Sequence, residues 1–173
     1  MPIVLIRIDD RLVHGQIVQC WLKNFNVDTV LVVSDSAAND KTQQILMGMA
    51  LPSFIRLDVK TLKDAAASLL SGEYNKENII VLVTQPSDVV YMLDRGLKVK
   101  SLNIGGMHFI SGKKQIMENI CVNNEDIETL KQIYSRGIEI EGRVLPDDEK
   151  KRYYAYTKKK NIRPFVRKTN EQS

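Results

Sequence analysis

The sequence predicts an α/β fold: a single domain of three layers, built from βαβ units around a mainly parallel central sheet and closed by a C-terminal helix. Three observations predict it. Short β-branched runs alternate with stretches of helical character. The early runs are almost continuously apolar, as strands covered on both faces are. The chain has 173 residues, 43% hydrophobic and 27% charged, which suits one globular unit whose core needs no disulfide. No repeat, low-complexity segment or linker interrupts it, so one domain spans 1–173.

Taken in order, the predicted strands are Ile3–Ile8, Thr29–Val33, Phe54–Asp58, Ile79–Val83, Ser101–Ile104 and Ile138–Val144. Between them Gln16–Lys23 reads as a helix, Asp40–Met49 as a second closed by Leu51-Pro52, and Leu62–Leu70 as a third capped by Thr61 and Asp64. Pro86 suits the first turn of a fourth helix ending at Gly96, and Asn124 caps a fifth ending at Gly137. Both glycines suit a left-handed C-terminal cap. Asp147 or Asp148 opens a C-terminal helix running to about Lys159. The stretch 105–122 reads less plainly: strands around Phe109–Ile110 and Asn119–Val122 would form an antiparallel excursion and make the sheet mixed.

Composition narrows the function. Cys20 and Cys121 stand far apart in apolar surroundings, with neither a CxxC pair nor a histidine cluster, so they read as reduced core residues of a cytoplasmic protein. No apolar run approaches the roughly 20 residues that cross a bilayer, and the N-terminus opens into Ile3-Val4-Leu5-Ile6-Arg7 without a signal-peptide pattern. Membrane association is therefore expected only through a partner. The net charge of +4 is concentrated in a basic tail from about Lys158, which reads as a solvated terminus rather than a nucleic-acid surface. GxGxxG and GxxxxGK[ST] are absent, which argues against a nucleotide-binding α/β protein.

Ligands of open α/β sheets collect at the carboxyl ends of strands, so the turn after the first strand is the first place to look for chemistry. It reads Asp9-Asp10-Arg11-Leu12-Val13-His14-Gly15-Gln16. His14 stands at the start of a helix, where unpaired amides and the helix dipole favour an anion. A phosphoryl group on the imidazole would be cradled there, with Gly15 leaving the approach open, Arg11 neutralising its oxygens and Gln16 adding a neutral hydrogen bond. The unperturbed imidazole is mostly neutral near pH 7, as a nucleophile must be, and neither metal nor cofactor is required. The residues alone leave a second reading open, in which His14 caps a helix and Arg11 and Asp10 pair on the surface.

The segment Arg7-Ile8-Asp9-Asp10-Arg11-Leu12-Val13-His14-Gly15-Gln16 resembles the active-site segment of the IIB components of the mannose, fructose and sorbose class of the bacterial sugar phosphotransferase system. The likeness continues through Val32-Val33-Ser34-Asp35, Thr84-Gln85-Pro86-Ser87-Asp88-Val89 and Leu102-Asn103-Ile104-Gly105-Gly106-Met107, to about Val144. The resemblance implies a phosphotransferase whose His14 takes a phosphoryl group from a phosphohistidine of a IIA protein and yields it to a sugar in a membrane IIC/IID complex. It implies Arg11 beside His14 and Nδ1 as the phosphorylated atom. A homodimer is compatible with the sequence, and nucleic acid is not an expected partner. A rival of another class is a binding module of the same fold that reports phosphorylation state.

Other positions have plainer readings beside the functional one. Asp10, Gly15 and Gln16 shape the site, while Asp35, Thr84, Gly105 and Gly106 either border the same crevice or serve as helix caps and turns. His108 reads as a loop residue without a catalytic part. Arg7 reads as a strand-end residue reaching solvent in preference to a phosphate contact. Trp21, Phe25, Met47 and Met49 read as core filling.

Overall fold

The computed structural model describes residues 3–117 and 119–148. Its strands are β1 (Ile3–Asp9), β2 (Thr29–Val33), β3 (Arg56–Lys60), β4 (Ile79–Val83), β5 (Ser101–Gly106), β6 (Lys114–Met117), β7 (Ile120–Val122) and β8 (Glu139–Glu141). The helices are α1, a π-helical stretch Ile17–Trp21 continuing as α-helix over Leu22–Asn24, then α2 (Asp35–Ala38), α3 (Lys41–Ala50), α4 (Leu62–Ser71), α5 (Pro86–Asp94) and α6 (Asn124–Ser135).

Six strands form one sheet in the order β3-β2-β4-β1-β5-β8, and every pairing in it is parallel. The expected mixed sheet does not form. The antiparallel pair exists, but as a separate hairpin of β6 and β7, and β6 is Lys114–Met117 where Phe109–Ile110 was expected. Phe109 and Ile110 instead stand exposed.

Strand residues alternate between two cores, which is why the strands read as unbroken apolar runs. Ile6, Ile8, Leu31, Val33, Ile79, Val81 and Val83 face α4, α5 and α6 through Ala66, Leu69, Met92, Leu130 and Ile133. Leu5, Val30, Val32, Ile80 and Leu82 face α1, α2 and α3 through Ile17, Trp21, Ala37 and Met47. At roughly 25 cal/mol per Å² of apolar surface, these faces dominate stability.

Helix ends follow local chemistry. Thr61 accepts from the Asp64 amide at 3.2 Å, as expected, and Gly96 and Gly137 take φ of 102° and 80°, the left-handed geometry a glycine permits. The cap of α6 is Asn123, one residue earlier than read: its side chain accepts from the Asp126 amide and Asp126 accepts from its own. Strand β3 starts two residues later than expected because the Ile55 amide donates back to Pro52 in a turn, leaving Phe54 exposed. Strand β8 stops at Glu141 because the Arg143 and Val144 carbonyls accept from Arg7, Asn103 and Trp21 side chains. Asp147 and Asp148 lie in a turn, and the rest of the expected C-terminal helix, with the basic tail, lies outside the described residues. Met47 is buried as expected, whereas Met49 at the end of α3 is exposed.

Candidate functional site

The turn between β1 and α1 lies at the carboxyl end of β1, which β4 and β5 flank in the sheet. Leu12 and Val13 are buried and anchor it to the core beneath α1. Leu12 has φ of 58°, a left-handed conformation that costs a branched residue about 1–2 kcal/mol. Strain of that kind persists where packing overrides it, characteristically at functional sites. The turn delivers His14 to the foot of α1, where the His14 carbonyl accepts from the Val18 amide at 3.1 Å.

Asp9, the last residue of β1, is fully buried and organises the charges. It accepts from Arg7 Nη2 at 2.9 Å and Nε at 3.2 Å. It accepts as well from Arg11 Nε at 3.0 Å and Nη2 at 3.2 Å. His14 Nε2 lies 3.7 Å from the same carboxylate. Arg11 Nη2 also donates to Gln16 Oε1 at 3.3 Å, and that oxygen lies 3.4 Å from His14 Nε2. His14, Arg11 and Gln16 thus meet around Asp9. His14 Nδ1 lies 2.8 Å from the Leu12 carbonyl, which can only accept, so in this rotamer Nδ1 carries a proton.

Arg7 corrects the sequence reading, which sent it to solvent. It is fully buried, with Nη1 donating to Asn103 Oδ1 at 2.6 Å and to the Arg143 carbonyl at 3.0 Å, and its guanidinium lies 4.9 Å from the Trp21 ring. Burial pushes its pKa down, and the facing Asp9 carboxylate pushes it back up. A guanidinium keeps its proton under such opposition. Arg7 and Asp9 escaped functional assignment in the sequence, although a charge interrupting an apolar strand was the available signal.

Gly105 and Gly106 close the floor. A Cβ at Gly105 would stand 1.7 Å from the Arg7 guanidinium carbon, and one at Gly106 would stand 2.9 Å from an Asp9 oxygen. A Cβ at Gly15 would meet nothing within 4 Å, so that glycine faces open space. Asp10 accepts from the His108 amide at 2.7 Å and lies 2.5 Å from its Nδ1, which ties the end of β5 to the turn. Asp35 and Thr84 are engaged elsewhere: Asp35 accepts from the Leu62 amide at 2.8 Å, and Thr84 donates to the capping carboxylate of Asp88 at 3.0 Å. Among the described residues no group of three His, Cys, Asp or Glu side chains could hold a metal.

A buried carboxylate holding two arginines beside a partly buried histidine is a charge arrangement suited to an anionic group on that histidine. The sequence profile of the PTS system sorbose subfamily IIB component matches residues 3–167. The chain belongs to this IIB family. The fructose-specific EIIB component of Bacillus subtilis is 34% identical over 148 residues, 86% of this chain and 91% of that protein. The mannose-specific EIIAB component of Escherichia coli is 37% identical over 87% of this IIB chain, which spans 46% of that longer protein. The crystal structure of the IIB domain of the Klebsiella pneumoniae sorbose permease superposes with a TM-score of 0.82 at 33% identity, covering 87% of this chain and 92% of that one. This IIB component is thus a phosphotransferase-system protein with the expected α/β architecture, and no helix among its described residues is long and apolar enough to cross a membrane.

Proposed function

We propose that His14 is the phosphorylated residue of this IIB component. It takes the phosphoryl group from a phosphohistidine of a IIA protein or domain and passes it to a sugar held by a membrane IIC/IID complex, beside which the protein works at the cytoplasmic face. The observation that carries the proposal is the convergence of His14, Arg11 and Gln16 on buried Asp9. The fused A and B units named in the Escherichia coli relative support a IIA partner.

In the transfer, a ring-nitrogen lone pair of His14 forms a bond to phosphorus while the donor's P–N bond breaks and its electron pair returns to the donor ring. Each imidazole keeps the proton on its other nitrogen, so no base is needed. A loose, in-line transition state asks for positioning and positive charge. Arg11 supplies the charge, and the first amides of α1 lack partners within the helix. Nε2 faces the Asp9 carboxylate at 3.7 Å, where a dianionic group would be repelled. Phosphorylation at Nδ1 lessens that repulsion once the ring turns off the Leu12 carbonyl and the Nδ1 proton passes through solvent to Nε2, where it faces the Asp9 carboxylate, and we take Nδ1 as the reacting atom.

Relatives named for fructose, sorbose, mannose and N-acetylgalactosamine stand at 34%, 34%, 37% and 32% identity. The proposal is therefore for that class of sugar, with selection made in the membrane partner. The test is sugar phosphorylation reconstituted with IIC/IID: His14→Ala abolishes it with the fold preserved. Phosphoryl retained on His14 without sugar turnover would support a module reporting phosphorylation state instead.

A further inference from the structure

The two arginines on Asp9 are built differently. Arg7 is wholly buried, fixed by Asn103 and the Arg143 carbonyl, laid against Trp21, and lodged in the space Gly105 leaves. Arg11 is about one-third exposed and, beyond Asp9, bonds only Gln16 Oε1 at 3.3 Å among the described side chains. One guanidinium is enclosed on every side, whereas the described side chains that hold the other are Asp9 and Gln16 alone.

Between them sits a carboxylate with no exposure, 3.7 Å from His14 Nε2. A phosphoryl group arriving on His14 brings about two negative charges beside that carboxylate. If Arg11 were its sole partner, drawing Arg11 onto the phosphoryl group would strand a buried anion, a strongly unfavourable change. With Arg7 in place Asp9 stays paired. Two cations facing one carboxylate leave one positive charge in surplus, already oriented before the anion arrives.

We propose that Asp9 is a positioning residue: it holds Arg11 beside unphosphorylated His14 and releases it to the phosphoryl group, while Arg7 remains as the fixed counter-ion of Asp9. The inference rests on the reading that His14 carries the phosphoryl group. Arg11 exchanges partners during the cycle, and Arg7 does not.

The experiment follows the arginine Nε–H signals of the unmutated protein by NMR before and after phosphorylation, with the phosphoryl group first located on His14 by mass spectrometry. The Arg11 signal is expected to shift on phosphorylation while the Arg7 signal holds. A double-mutant cycle supplies the second readout, because groups acting as one unit are non-additive. Asp9→Asn is expected to slow transfer from IIA at least about tenfold in the wild-type background, as a misplaced contact does. In the Arg11→Ala background the same change should cost less than about threefold. An Arg11 signal unmoved by phosphorylation of His14, or an equal loss in both backgrounds, overturns the inference. If Asp9→Asn does not fold, the spectra of the unmutated protein decide alone. A protein that takes up no phosphoryl group on His14 overturns the functional reading, and the inference falls with it.

Discussion

Two glycines at the site differ in what a methyl group would meet, and the difference separates a residue kept for structure from one kept for access. Gly15→Ala adds its methyl to open space, so urea unfolding should show a stability change within about 1 kcal/mol, and any loss of transfer then reports on docking. Gly105→Ala drives a methyl into the Arg7 guanidinium and breaks a buried ion pair, which should cost about 3 kcal/mol or more by the same measurement. Arg11 is the partly exposed cation that shares Asp9 and Gln16 with the reacting ring, so Arg11→Ala should slow rapid-quench transfer from IIA by about 10²–10³. Arg11→Lys, which keeps the charge but not the planar fork, should fall between. An Arg11→Ala rate within about twofold of wild type would exclude that role. The turn holding these residues was legible because polar groups crowd a place where a structural turn needs only small ones. The burial of Arg7 was not, since its partners Asn103 and Arg143 lie 96 and 136 residues away.

At the scale of elements, β3 closes one edge of the sheet and is fastened there by Arg56. Its Nη2 donates to Glu77 at 2.7 Å, and Thr29 donates to the same carboxylate at 2.6 Å. The hydrogen bond from Thr29, then that from Arg56, hold the Glu77 carboxyl below its ordinary value. A carboxylate with a lowered folded pKa contributes stability above the unfolded value, and the contribution is lost as pH falls through the folded one. Between pH 6 and pH 3 the wild type should therefore lose more stability than Glu77→Gln. The difference should be at most about 1 kcal/mol, because the pair is partly solvated. Equal losses in urea titrations at the two pH values would contradict this. Patterning placed four of the six sheet strands, β1, β2, β4 and β5, to within two residues at either end. It misplaced β3, whose apolar Phe54 sits in an exposed turn, and overextended β8, whose following carbonyls serve side chains on other elements. The π-helical turn of α1 carries no sequence signature, yet it begins three residues after His14, and such irregularities often stand at functional sites.

For the whole molecule, a parallel sheet with helices on both faces leaves its strand ends as the natural meeting place for partners. A carrier must load and unload there. IIA should bind weakly, over a surface that includes Arg11, Gly15 and the neighbouring strand-end loops, and its association rate should fall as salt rises. An NMR titration that left the β1–α1 turn unshifted would contradict this. The fold class was legible from alternation alone, whereas the burial that fixes Arg7 on Asp9 depends on contacts between β1, β5 and the segment after β8 that no local pattern encodes. The most direct test of the central claim is to incubate the protein with phosphoenolpyruvate, the general phosphotransferase proteins and IIA, and to locate the product by mass spectrometry. The account predicts one acid-labile phosphoryl group, on His14, and none in His14→Ala. Phosphoryl on His108, or label persisting in His14→Ala, would contradict it.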